Sequence, residues 1–259
     1  MNAFDEIKKM IAKFEPITLD EMKAVRMMNR TDTKYVIPIS SLAELLKRSA
    51  ANYRVQEVDG ERLLTYHTVY YDTPGQAMYI AHQNGKKTRE KIRLRTYVSS
   101  GLTFFEIKNK NNRGRTDKKR IKIPLENTNF LTNDETRKFL AKYARYTPED
   151  LSPQLENVFQ RITLVNRGMT ERLTIDLNLG FHNMFNDNRA SLEGVVIIEL
   201  KRDGRTPSPT RDVLIQMHIH TSSFSKYCMG YALTDPNLKQ NRFKERIHNT
   251  LKLNRLNKS

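Results

Sequence analysis

Apolar and polar residues alternate with period two along much of this chain, and that spacing predicts β-strands. Ile92 and Leu94 alternate with Lys91, Arg93 and Arg95, and Phe105 and Ile107 with Glu106, Lys108 and Lys110. Ile121 and Ile123 oppose Lys118, Arg120 and Lys122, while Leu173, Ile175 and Leu177 oppose Arg172, Thr174 and Asp176. Further segments at Arg30–Ile39, Leu63–Asp72, Leu155–Val165 and Glu193–Lys201 bring the expectation to about eight strands. Helical spacing marks the start of the chain, with Phe4, Ile7, Met10, Ile11 and Phe14, and a second short helix is expected from Thr18. Residues 1–28 therefore read as a helical brace. Ser40 or Ser41 caps a helix through Arg48, and Thr73-Pro74-Gly75 opens one that Asn84-Gly85 stops. Helices are also expected over Asp134–Tyr143, Ser208–His220 and Pro236–Leu256, the last within a C-terminal helical tail, 234–259. No repeat or linker-like tract interrupts 1–259, which reads as one domain.

In strand after strand the polar partner of the alternation is a charge. An antiparallel sheet with one dry and one solvated face commonly looks this way. Two features point to the inverse arrangement. A merely solvated face takes Ser, Thr or Asn as readily, yet Arg and Lys recur here at i, i+2. Helices between the strands also need apolar sheet surface to dock on, so the apolar faces are expected outward and the charged faces inward. The fold class expected is α+β: a closed antiparallel barrel with a charged lumen and helices packed outside.

Composition sharpens the consequence. The chain holds 45 Lys and Arg against 29 Asp and Glu, a formal charge of +16, which signals a polyanionic partner. Two cations about 5 Å apart at an effective dielectric of about 20 repel by roughly 3 kcal/mol, so a lumen of Arg and Lys needs an anion. Guanidinium forks and ammonium groups together suit a chain of linked phosphates. Glu106, Asp176 and Glu199 are then available to hold Mg²⁺ or Mn²⁺ beside phosphate oxygens. With no Trp, and Tyr and Phe mostly at core parity, base-stacking support for nucleic acid is thin. The single cysteine, Cys228, excludes an internal disulfide, has no histidine nearby in the sequence, and reads as an inert packed thiol. No transmembrane run and no secretion signal are visible, so a cytoplasmic location is expected.

Ordered short motifs extend this picture. Tyr70-Tyr71-Asp72-Thr73-Pro74, Tyr79, His82, Gly85-Lys86 and Arg89-Glu90-Lys91-Ile92-Arg93-Leu94-Arg95-Thr96-Tyr97 resemble the VTC (vacuolar transporter chaperone) domain, a polyphosphate polymerase of the triphosphate tunnel metalloenzyme superfamily. Lys34-Tyr35-Val36, Phe105-Glu106-Ile107-Lys108, Lys118-Lys119-Arg120, Glu171 to Asp176, Ile198-Glu199-Leu200-Lys201 and Ser225-Lys226-Tyr227 resemble it in the same order. The resemblance implies an eight-stranded tunnel in which the γ-phosphate of ATP passes to a polyphosphate chain. By motif position, Arg93, Arg95, Lys108, Arg161 and Arg172 grip the reacting phosphates, and Lys34, Lys118, Arg120 and Lys201 bind more of the polyanion. Ser225 and Lys226 close the site, Glu199 is the main metal ligand, and Glu106 and Asp176 assist. Phe159 stands where the VTC domain often has Tyr, and Arg30-Thr31-Asp32-Thr33-Lys34 replaces the superfamily's usual Glu-x-Glu-x-Lys. The implied partners are ATP and inorganic polyphosphate, with a separate membrane protein at the inner face of a membrane wherever synthesis is coupled to translocation. The alternatives are a tripolyphosphatase or nucleoside triphosphatase of the same fold, or a non-catalytic polyphosphate- or RNA-binding module.

Overall fold

The computed structural model describes residues 3–25, 30–124, 130–204 and 206–256. Eleven strands make one sheet. Eight of them lie in the order β2 (Arg30–Pro38), β11 (Val195–Asp203), β9 (Glu171–Asn183), β8 (Ser152–Asn166), β4 (Leu64–Asp72), β5 (Arg89–Tyr97), β6 (Leu102–Lys110) and β7 (Thr116–Ile123). Every neighbouring pair on this path is antiparallel. Of the rest, β1 (Glu15–Ile17) pairs in parallel with β3 (Tyr53–Gln56), β3 also lies on β8, and β10 (Arg189–Leu192) lies on β9. Register shifts at Tyr70/Tyr71 and Val158/Gln160 add to the natural twist, since each bulge bends its strand locally. The sheet curls until its charged face lines a common cavity.

Closure does not follow. Among the described residues β2 and β7 are sheet ends with no pairing between them, so the expected closed eight-stranded barrel is corrected to a curled, open sheet. The edge of β2 is occupied from another direction. Tyr35 bridges Thr221, and Ser222 N–H donates to the Lys34 carbonyl at 2.8 Å. The β7 edge carries Lys118, Lys119, Arg120 and Lys122, and such lysine-rich edges resist pairing with another strand.

The helices pack outside, as the patterning requires. Helices α1 (Ala3–Ile11), α2 (Leu42–Ser49) and α5 (Pro209–Gln216) cover the outer face of β2, β8, β9 and β11, where Ile7, Leu45, Leu46 and Leu214 meet Ile162, Leu173, Ile175 and Ile198. Helices α3 (Ala77–Gln83) and α4 (Asp134–Tyr143) cover β4 to β7, packing Tyr79, Phe139 and Leu140 on Tyr71, Ile92, Phe105 and Ile107, while α6 (Lys226–Thr234) packs on β8, β9 and β10 and against α3. Each fully buried aliphatic or aromatic side chain of this kind stabilises by about 1.5–3 kcal/mol. Helix α7 (Lys244–Arg255) lays Ile247, Leu251 and Leu253 against a third cluster that contains Leu179, Val195 and Ile197.

Four local expectations change. The brace is helical only over Ala3–Ile11: Glu15–Ile17 is a strand, Glu21–Ala24 is one 3₁₀ turn, and 26–28 lie outside the described residues. The C-terminal tail is α-helical only from Lys244. Three short strands join the main eight. Helix α6 was not expected at all, because seven of its nine residues are buried and a helix buried nearly all round shows no 3.6-residue stripe. No helix among the described residues is long and apolar enough to cross a membrane.

Candidate phosphate-binding cavity

The curled sheet encloses a cavity of about 980 Å³. Lys34 on β2, Arg93 and Arg95 on β5, Lys108 on β6, Lys118 and Arg120 on β7, Arg161 on β8, Arg172 on β9 and Lys201 on β11 all line it, as do Ser225 and Lys226. Strand geometry brings them together: residues i and i+2 share a face, and cross-strand register aligns the faces of neighbours. Lys91, Lys108 and Lys118 stand in one cross-strand row, and Arg93, Glu106 and Arg120 in the next. In all, thirteen Lys and Arg side chains and three carboxylates, Asp32, Asp176 and Glu199, line the cavity.

Those carboxylates, with Glu106 covered by its own cations on the same face of the sheet, brace the positive charges. Glu106 is fully buried and accepts from Arg93 Nε at 2.7 Å, with Lys118 as a second partner. Burial pushes its carboxyl up, but Arg93, Arg95 and Lys118 outweigh this and hold it at about 2. Arg161 reaches Asp176 with both arms, at 2.5 and 2.8 Å, and Lys226 pairs with the same carboxylate. Burial of Asp176 is likewise overcome, first by Arg161 and then by Lys226, and its carboxyl stays well below the usual range. Glu199 pairs with Lys201 and lies 3.9 Å from Lys34; together they override its burial and hold it at about 2.

Other cations have no carboxylate partner among the described residues. Arg95 Nε donates to Thr68 Oγ1 at 3.2 Å, and burial, then the neighbouring Arg93, lowers the guanidinium to about 10. Lys108 is pushed well below the ordinary lysine value, by Arg93 first and by burial second. Burial and then Arg30 lower Arg172. These shifts share one meaning: the cavity concentrates positive charge beyond what its own acids neutralise, and a bound polyanion relieves it.

Lys91 belongs to the same set, although it is absent from the residues expected at the site. Its Nζ donates to Ser225 Oγ at 3.0 Å, and burial lowers it to about 8. The signal was present in the sequence, since Lys91 shares parity with Arg93 and Arg95. Arg30 also lines the cavity, 2.7 Å from Asp32. Ser225 caps α6 by accepting from Cys228 N–H at 3.2 Å, so one hydroxyl both starts the helix and orients Lys91. Tyr227, the next residue but one, donates to Asp72, which also accepts from the backbone of Thr73, Met78 and Tyr79. Asp72 thereby ties the start of α3 to the residues that place Lys226.

Two expectations need correction. Glu106, Asp176 and Glu199 do not form one metal centre: they sit on β6, β9 and β11, and no three metal-binding side chains converge among the described residues. Glu106 is covered by Arg93 and Lys118, and Asp176 is held by Arg161 and Lys226. Glu199, about a quarter exposed and facing the cavity, fits a divalent ion whose other ligands are phosphate oxygens. Cys228 does have a histidine neighbour: Sγ lies 2.9 Å from His82 Nδ1, brought from α3. Burial raises the thiol and lowers the imidazole to about 2, so both stay neutral and the pair is packing. Aromatic rings stand beside the arginines, buried as their parity predicts. Phe159 is fully buried, stacks on Tyr66 at 5.3 Å and has Arg161 and Lys226 over its ring at 5.3 and 4.4 Å.

The family model of the VTC domain matches residues 29–234. No curated protein matches the chain. Among solved structures, a candidate adenylate cyclase from Bacillus halodurans is similar at 12% identity and TM-score 0.49, covering 84% of this chain and 100% of that one. A candidate adenylate cyclase from Vibrio parahaemolyticus is similar at 13% identity and TM-score 0.45, covering 77% and 96%. A candidate adenylyl cyclase from Hippeastrum with a dominant triphosphatase activity gives 13% identity and TM-score 0.45, covering 79% and 96%. Likeness this distant transfers no activity to the chain.

Proposed function

Because the chain belongs to the VTC domain family, we propose that it is an ATP-dependent polyphosphate polymerase. The observation that carries this reading is the cavity's charge: thirteen cationic side chains against three carboxylates around one cavity. A linear polyanion is the ligand class that neutralises such a lining along its whole length.

In the reaction, a terminal oxygen of the polyphosphate chain forms a bond to the γ-phosphorus of ATP, and the bond from that phosphorus to the β,γ-bridging oxygen breaks. ADP leaves with the bond's electron pair. The attacking oxygen is already anionic, so no general base is needed. The barrier is lowered by aligning donor and acceptor and by neutralising the equatorial oxygens. Arg93, Arg95, Lys108, Arg161 and Arg172 hold the reacting phosphates, with Glu106 and Asp176 fixing the Arg93 and Arg161 side chains in place. Lys34, Lys118, Arg120, Lys201, Ser225 and Lys226 hold the remaining phosphates. A divalent ion, Mn²⁺ or Mg²⁺, adds further neutralisation when bound, with Glu199 as its protein ligand.

The test is incubation of the purified chain with ATP and Mn²⁺, with products resolved by size. A ladder of phosphate polymer that chelation abolishes is the expected result, and Arg93→Ala should remove it while leaving the fold intact. Orthophosphate alone would make the chain a hydrolase, and unchanged ATP would leave only binding.

A further inference from the structure

The cationic face of the sheet does not stop where the cavity does. Lys91, Lys108 and Lys118 form the outermost row of β5, β6 and β7 that lines it. Two residues further along, about 7 Å, Arg89 stands opposite Lys110 with the same parity and so on the same face, and both lie beyond the cavity lining. From there the charge spreads over the surface. The approach to β5 carries Lys86 and Lys87, and the β6–β7 hairpin carries Arg113 and Arg115 at its tip, all four exposed. The tip is held in shape. Asn111 N–H donates to the Arg115 carbonyl at 2.9 Å, Asn111 Oδ1 accepts from Arg115 N–H at 3.0 Å, and Gly114 takes the left-handed turn position at φ +81°. Arg242 closes the other side, packed so closely on Gly85 that an added Cβ would clash with its guanidinium. Burial first, and then Lys91, Arg89, Lys110 and Arg242, hold the His82 imidazole at about 2, so cations from three separate segments gather round one point. Among the described residues none of Lys86, Lys87, Arg89, Lys110, Arg113 and Arg115 pairs with a carboxylate, and Asp117, the acid nearest the tip in the chain, lies 3.5 Å from Lys119.

A solvated face normally intersperses acids among its bases, which limits self-repulsion. Here charge of one sign runs on from the cavity rows with no acid paired to it, and such a field concentrates ligands of the opposite sign. We infer that this surface is a second, external binding site for a long polyphosphate chain. The part of the chain that exceeds the cavity runs out past Arg89 and Lys110 onto Lys86, Lys87, Arg113 and Arg115. This inference rests on the polyphosphate reading and adds selection by length to it, because a long chain is held at both places and a short one in the cavity alone. A chain that slips from one site is retained by the other, which raises its overall affinity without any new contact in the cavity. An anionic membrane is the other ligand that such charge attracts. The alignment of Arg89 and Lys110 with the cavity rows favours the chain.

Calorimetric titration with inorganic tripolyphosphate and with long-chain inorganic polyphosphate, over a series of chloride concentrations, tests it on the wild type and on a variant carrying Lys86→Ser, Lys87→Ser, Arg113→Ser and Arg115→Ser. These four side chains are exposed and make no hydrogen bond or ion pair among the described residues, so folding is not at risk. The variant should bind the long chain at least about tenfold more weakly, and its slope of log affinity against log salt should be shallower by roughly 3, about 0.7 for each cation removed. Tripolyphosphate should stay within about twofold, since the cavity cations are untouched. Equal losses for both ligands, or no loss for either, would overturn the external site alone. Co-sedimentation with phosphatidylserine vesicles that the variant loses, with binding of the long chain unchanged, would make the surface lipid-facing and overturn it as well. If the wild type bound neither polyphosphate, the polyphosphate reading itself would fall and the external site with it.

Discussion

Glu106→Gln isolates what the buried acids do for the cationic cavity. The carboxylate is fully buried, directly opposite Arg93 in the sheet, and shared with Lys118. Its ionisation sits at about 2 against an ordinary 4.5, which favours the charged form by roughly 3 kcal/mol. Breaking a buried ion pair by removing one partner costs about 3–5 kcal/mol, which agrees in size. For a chain of this length that is a fall of about 6–20 °C in Tm. The sign with pH follows. Because the folded carboxyl is depressed, its stabilisation is complete above about 4.5 and is lost as pH falls toward 2, so the variant should unfold with a shallower acid limb. Glutamine leaves Arg93 and Lys118 facing Arg95 and Lys108 uncompensated, so a polyanion should stabilise the variant more than the wild type. Thermal melts of both proteins with and without tripolyphosphate, matched for ionic strength with chloride, read all three effects. A variant with unchanged Tm and an unchanged ligand shift would refute the view that Glu106 serves as a built-in counter-charge to these cations.

Lys91 and Lys226 are each held near 8 by burial, against 10.5 ordinarily, Lys226 in spite of Asp176 beside it. Tripolyphosphate binding should therefore weaken above about pH 8 as these ammonium groups lose their protons. The unliganded fold should gain stability from them between 8 and 10.5, where the unfolded chain binds more protons. Titrations and melts across pH 7 to 10 check both, and binding that tightens with pH would contradict the assignment. Tyr227→Phe removes the hydroxyl that Asp72 accepts from and should cost about 1–3 kcal/mol in chemical denaturation. An unchanged midpoint would show that the three backbone donors satisfy Asp72 without it.

Much of the site was readable because strands write their faces into the sequence. Period two alone put Arg93 with Arg95, Arg172 with Asp176, and Lys118 with Arg120 on shared faces. Charge too dense to be idle solvation then pointed those faces inward. Lys91 obeyed the same parity and needed only the register that sets it beside Lys108 and Lys118. The pairing of Cys228 with His82 could not be read this way, because 146 residues separate them and only the packing of α6 on α3 joins them. The stacking of Phe159 on Tyr66 escaped for a related reason. The two rings lie on different strands, and single-strand alternation does not say which rings become neighbours.

The sequence by itself determined the strands, the inward charge and the need for a polyanion, because each follows from short-range periodicity and from the cost of crowding cations. Tertiary structure alone decided that the sheet stays open between β2 and β7, since alternation is the same in open and closed sheets and closure depends on what occupies each edge. It also decided that the three acids serve as separate counter-charges instead of one metal centre. A carboxylate settles next to whichever charge the fold brings within a few ångströms, and that distance is a property of strand order, which no local stretch of sequence contains.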